Sequence, residues 1–141
     1  MIASGYLMLV RSGKILLSRR FQTGYEDGKY SLPAGHIEEG ETLTAGTCRE
    51  IQEEIGIKVT PADLTLVHVM HRKHVDIRMD FFFTTDKKAL VPKNMEPEKC
   101  DNLSWFSLHA LPTNTIPYIR TAIKNYQKMI LYSEFGWNNH R

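Results

Sequence analysis

Apolar and polar residues alternate along several short runs of this chain, and in two places the apolar spacing lengthens to that of a helix. Tyr6 to Val10 and Lys14 to Arg19 read as strands around Ser12-Gly13, whose residues suit the tight turn of a hairpin. Leu64 to Met70 and Ile77 to Thr84 are two more strand-like runs, joined through the basic segment His71 to His74, and Leu103 to Phe106 is a short one. Leu32-Pro33-Ala34-Gly35 reads as a strand end running into a turn. Cys48, Ile51 and Ile55 fall on one stripe at helical period, with Thr42 placed as N-cap and Gly56 just past the end, so the spacing predicts a helix over about 42 to 55. A second helix is predicted from Pro117 to about Ile130, with Ile119, Ala122, Ile123, Tyr126 and Ile130 on its buried side. Interleaved strands and helices of this kind imply an α/β fold with helices packed on a mixed sheet.

The polar side of the first helix changes the picture. Glu50, Glu53 and Glu54 stand at i, i+3 and i+4, so their side chains are neighbours and repel one another. A helix that needed only a polar surface would place Lys or Arg among them. The uncompensated cluster points to a cation, and hard, oxygen-seeking ions suit carboxylates without His or Cys.

Gly35, Glu41, Arg49, Glu50, Ile51, Glu53, Glu54, Gly56 and Ile57 fill every defined position of the Nudix box, so residues 35 to 57 resemble the signature of the Nudix hydrolases. The segment Tyr25 to His36, and Glu96 to Cys100 followed by Trp105-Phe106, resemble MutT-like members that hydrolyse nucleoside triphosphates. The resemblance implies a Nudix αβα sandwich with a mixed β-sheet. It also implies a Mg²⁺- or Mn²⁺-dependent pyrophosphohydrolase, in which water attacks phosphorus in a diphosphate linkage. By the same resemblance Glu50 and Glu54 are metal ligands, Glu53 a ligand or general base, and the carbonyl of Ala34 a further ligand. The base belongs to the cluster rather than to one glutamate.

Around that core, Arg49 has two readings, phosphate binder or orienter of a carboxylate; the second is favoured, with Glu41 as its partner. Glu38 and Glu39 read as a solvated turn. His36 either approaches a phosphate or bonds backbone. Nudix enzymes often draw one more ligand or base from a loop opposite the box; Glu96 and Glu98 are the candidates here, and Glu98 is preferred. One of Arg19 and Arg20 meets the terminal phosphates and the other is solvated, because alternation keeps them off a common face. Phe21, Tyr25 and Tyr30 either stack on a base or pack on the protein, and Trp105 is read as core. His68, His71 and His74 do not make a zinc site, since spacing of three in a strand opposes His71 to His68. Arg72-Lys73 and Lys87-Lys88 read as solvated faces or turns. Tyr132, Phe135 and Trp137 dock on the domain or on a partner in a homodimer.

Composition narrows the function classes further. The 141 residues suit one domain over 1–141, and 42% hydrophobic with 24% charged is an ordinary globular balance. A scattered net charge of +2 argues against nucleic-acid or membrane partners and leaves a small-molecule nucleotide. Met1 to Val10 is apolar, but it lacks a basic n-region and is shorter than a membrane span. Two cysteines, Cys48 and Cys100, make no disulfide framework, which favours a cytoplasmic setting. The leading expectation is hydrolysis of a nucleoside triphosphate to monophosphate and pyrophosphate, clearing damaged or surplus nucleotides. Relatives specialised for oxidised purines carry a pair of aspartates where this chain has Thr113 to Tyr118, so a strict oxidised-purine specificity is not expected. The alternatives are ADP-ribose, a nucleotide sugar or a dinucleoside polyphosphate as substrate, and behind them a nucleotide-sensing module without catalysis.

Overall fold

The computed structural model of the chain describes residues 1–137. Its strands are β1 (Ile2–Leu7), β2 (Val10–Arg11), β3 (Lys14–Arg20), β4 (Tyr30–Ser31) and β5 (Ala34–His36), followed by helix α1 (Leu43–Ile55). Strands β6 (Leu64–Lys73), β7 (Ile77–Thr85) and β8 (Cys100–Ser107) lead to helix α2 (Pro117–Gln127) and a last strand, β9 (Tyr132–Phe135). One sheet runs in the order β5-β1-β7-β6-β9 and is mixed: β1 is parallel to β7 and β6 to β9, while the other pairs are antiparallel. A second, antiparallel sheet gathers β2, β4 and β8 on β3.

Period-two alternation divides the core between the helices. Tyr6 and Met8 join Ile15 and Leu17 in the cluster that packs on Ile119, Ala122 and Ile123 of α2. Leu7, Leu9 and Leu16, the residues between them, join Ile51 and Ile55 of α1 in the other. The strands thus lie between two helical layers, the mixed α/β arrangement that the sequence predicts.

Four elements differ from expectation. The first strand spans Ile2–Leu7 rather than Tyr6 to Val10. Its early pattern is hidden because Ser4 is buried and Gly5 lies under α1, where a Cβ would fall 1.8 Å from Thr47 Oγ1. β6 continues through the expected connector as far as Lys73, with Arg72 turned inward onto Asp80 rather than solvated. β8 spans Cys100–Ser107 rather than Leu103 to Phe106, so Cys100 sits at a strand start. α2 stops at Gln127, Met129 takes a left-handed conformation (φ 59°), and Ile130 is 42% exposed instead of buried. The chain then turns into β9, which the sequence reading missed. Phe135 packs on the core and the Trp137 indole donates to His71 O at 2.9 Å, so these two aromatics dock on their own domain. His68 is fully buried beneath β9, its Nδ1 2.7 Å from Ile130 O and its Nε2 2.8 Å from Ser133 Oγ. Among the described residues no histidine joins a metal-ligating group.

Candidate active site

A cleft of about 750 Å³ opens where β5, α1 and the end of β3 meet, and the predicted glutamates line one end of it. Thr42 caps α1 through its side chain, which accepts from the Ala45 N–H at 3.1 Å, and Gly56 ends it in the left-handed conformation (φ 71°). Edge strand β5 passes close beside the helix because Gly35 has no side chain; a Cβ there would stand 2.1 Å from Glu50 Cδ. Ala34 faces Tyr6 across the ladder as a non-hydrogen-bonded pair, as the bond Leu7 N–H to Pro33 O beside it and the bond Ile37 N–H to Ala3 O beyond His36 show. Its own N–H and C=O therefore point off the sheet edge. The N–H donates to Glu54 Oε1 at 2.9 Å.

Arg49 fixes the carboxylates. Its Nη2 and Nε hold both oxygens of Glu41 at 2.8 and 3.1 Å, and its Nη1 donates to Glu50 at 2.8 Å, with Glu53 at 3.4 Å. Glu41 also accepts from the Glu38 N–H, and a Cβ on Gly46 would stand 2.6 Å from its Oε1. The guanidinium first, and that N–H second, lower the Glu41 carboxyl to about 2. The fork predicted for Arg49 thus links the box glutamates.

Burial dominates the other two acids. It raises Glu54 to about 8, with the Ala34 N–H opposing and Glu50 and Glu96 adding to the rise. Glu50 is raised by burial as well, against the pull of Arg49. Glu53 is exposed at the cleft rim. The side chains do not form a closed cage: among the described residues no three His, Cys, Asp or Glu groups are drawn together as metal ligands. Arg49 Nη1 instead takes Glu50 and Glu53 as its own partners, and the Ala34 N–H takes Glu54. The donors are all oxygen, and Glu54 has no basic side chain bonded to it among the described residues, so the set fits a hard divalent cation.

The rest of the lining corrects two expectations. Lys93 N–H and Met95 N–H bond to Ile55 O and Glu54 O, which ties their loop to the end of α1 and brings Glu96, not Glu98, into the cleft. Glu98 is exposed on the following turn. Both Arg19 and Arg20 line the cleft, because a register shift against β8 between them breaks the alternation. Arg19 is paired with Asp101 at 2.7 Å. Arg20 bonds only to neutral oxygens, Tyr25 O at 2.6 Å and Thr23 Oγ1 at 3.1 Å, and forms no ion pair among the described residues, although its charge reaches Asp27 and Glu54. Tyr25 lies under that guanidinium and lines the cleft, half-exposed, whereas Tyr30 is buried against Phe106. His36 is exposed at the rim, 3.3 Å from Arg78 Nη1. Sequence reasoning missed the floor: Tyr6, Arg72 and Tyr118 line it, above buried Asp80. Alternation onward from His68 and Met70 would have placed Arg72 on the buried side.

Residues 1–126 match the NUDIX domain. The chain is similar to the NAD-capped RNA hydrolase NudC of Chromobacterium violaceum, 32% identical over 116 residues, 82% of this chain and 42% of that protein. It is 33% identical to the 8-oxo-dGTP diphosphatase of Proteus vulgaris over 89 residues, 62% of this chain and 77% of that one. The first curated relatives it matches are longer proteins, of which it spans between 25% and 42%. Among solved structures it resembles a MutT NUDIX hydrolase from Burkholderia pseudomallei, with TM-score 0.77 and 28% identity over 87% of this chain and 95% of that one.

Proposed function

The chain belongs to the NUDIX family, and from that premise we propose that it is a divalent-metal-dependent pyrophosphohydrolase that cuts a nucleoside triphosphate to the monophosphate and pyrophosphate. The observation that carries this reading is that Glu50, Glu53, Glu54 and Ala34 line one cleft together with Arg20, which forms no ion pair among the described residues.

Glu50, Glu54 and the Ala34 carbonyl would hold the ion, with Glu53 and Glu96 beside them. A bound Mg²⁺ or Mn²⁺ supplies screening of the phosphate oxygens and acidity to a coordinated water. Arg49 keeps Glu50 oriented, and Arg20, whose Nε and Nη2 hold Tyr25 O and Thr23 Oγ1, receives the terminal phosphates through its Nη1 end. Tyr25 and His36 flank the substrate at the rim. The proton of the attacking water goes to the glutamate cluster. A cytoplasmic setting is consistent with two free cysteines, and no helix among the described residues is long and apolar enough to cross a membrane.

The likeness to a NAD-capped RNA hydrolase favours a second reading, a nucleoside diphosphate linked to another group. A panel of nucleoside triphosphates, ADP-ribose, nucleotide sugars and dinucleoside polyphosphates, with products resolved by chromatography, separates the two. Monophosphate plus pyrophosphate from triphosphates, abolished by EDTA, is the expected result. Triphosphates left intact while ADP-ribose or a sugar nucleotide is cut would replace the substrate class, and full turnover in EDTA would remove the metal.

A further inference from the structure

The floor of the cleft carries a charged pair that the proposed reaction does not use. Arg72 and Asp80 are 4% and 0% exposed and joined at 2.6 Å through Nε and 3.4 Å through Nη2. A buried ion pair is weak evidence for stability, because desolvation opposes the attraction. This one is also aimed. The guanidinium lies 3.7 Å from the Tyr118 ring centroid, which fixes its plane, and Nη1 makes no hydrogen bond among the described residues although Arg72 lines the cleft. Asp80 neutralises the charge, so the free nitrogen suits an uncharged acceptor better than a phosphate.

The hydroxyls beside it have a fixed direction. Tyr6 donates its single proton to Asp80 at 3.0 Å, so in the 3.0 Å contact between the two phenols Tyr118 must donate to Tyr6. Tyr118 then presents only lone pairs to the cleft. Asp80, out of reach of the substrate, sets the polarity of both groups: Arg72 donates and Tyr118 accepts.

Resting on the nucleotide reading above, we propose that Arg72 and Tyr118 select nucleobases carrying a carbonyl next to a ring N–H, as in guanine, hypoxanthine, uracil and thymine. The carbonyl accepts from Arg72 Nη1 and the ring N–H donates to Tyr118 Oη. In the same pose adenine and cytosine turn an amino donor towards Arg72 and a bare ring nitrogen towards Tyr118, leaving buried groups unpaired. The Thr113 to Tyr118 segment thus reads the base without aspartates, through its last residue and a partner on β6.

Calorimetric titration with GMP, UMP, AMP, CMP and 1-methyl-GMP, beside kcat/KM for the corresponding triphosphates, tests this. GMP and UMP should bind roughly 10- to 100-fold more tightly than AMP and CMP, the size expected of a good two-bond base contact. 1-Methyl-GMP, which lacks the ring N–H, should fall to the weak group. Tyr118→Phe, which keeps the packing, should shrink the preference to within about threefold. Arg72→Lys should do the same where it folds; where it does not, Tyr118→Phe decides alone. Equal binding of all bases, or a preference unchanged by Tyr118→Phe, overturns the inference while hydrolysis of triphosphates leaves the enzymatic reading in place. The stated preference in binding with no triphosphate cleaved would do the reverse.

Discussion

Glu54 is the residue whose environment and proposed task pull hardest against each other. Burial lifts it from 4.5 to about 8, so the metal-free fold favours its protonated form. Stability from this group is full below about pH 4.5 and is lost as the pH rises through about 8. Between those limits the melting temperature of metal-free wild type should fall relative to Glu54→Gln, which cannot ionise; parallel profiles in a thermal scan would contradict the shift. In turnover, Glu50→Gln and Glu54→Gln should each lose orders of magnitude with the fold intact, as circular dichroism would check. Glu96→Gln should cost more than Glu98→Gln, since only Glu96 lines the cleft. Arg49→Lys should be damaging despite its charge, because lysine cannot hold Glu41 and Glu50 in one fork. At this scale the box glutamates were legible because helical spacing gathers them on one face, and the Arg49–Glu41 link because both residues lie in the box, although Glu41 precedes the helix. Glu96 and the Arg19–Arg20 pair were not, since a loop's tether and a bulge are decided by bonds to distant backbone.

Helix α1 holds the site through its two ends and through the strands beneath it. Thr42→Ala should cost about 1 kcal/mol in urea unfolding by freeing the Ala45 N–H. Gly5→Ala should cost about 1–3 kcal/mol, because the new methyl group would overlap Thr47 on the buried face of α1. Wild-type stability in the second variant would mean that the helix can lift off β1. Both ends of this helix could be read from sequence, because its caps are local. The end of α2 could not: nothing in Lys128 to Leu131 breaks the apolar period, and the turn there is stabilised by β9 pairing with β6. Likewise the inward turn of Arg72 depends on Asp80, across a strand pair.

For the molecule as a whole, the site spans elements far apart in the chain, so ligand and fold should be linked. Mg²⁺ at about 100 times its dissociation constant should stabilise the wild type by about 2.7 kcal/mol through mass action, and much less in Glu54→Gln. An equal shift in both, read by denaturant titration, would place the ion elsewhere. The interior of the five-stranded sheet includes β1, the first strand in the chain, between β5 and β7. During synthesis β1 can pair with β5 early, as Ser4 meets His36, but its other edge must wait for Arg78 to meet Ile2. At about 5–20 residues per second that wait lasts a few seconds. The nascent chain therefore carries an open, apolar strand edge for those seconds, and slowing the ribosome between His36 and Arg78 would lengthen the period in which two nascent chains can pair with each other instead.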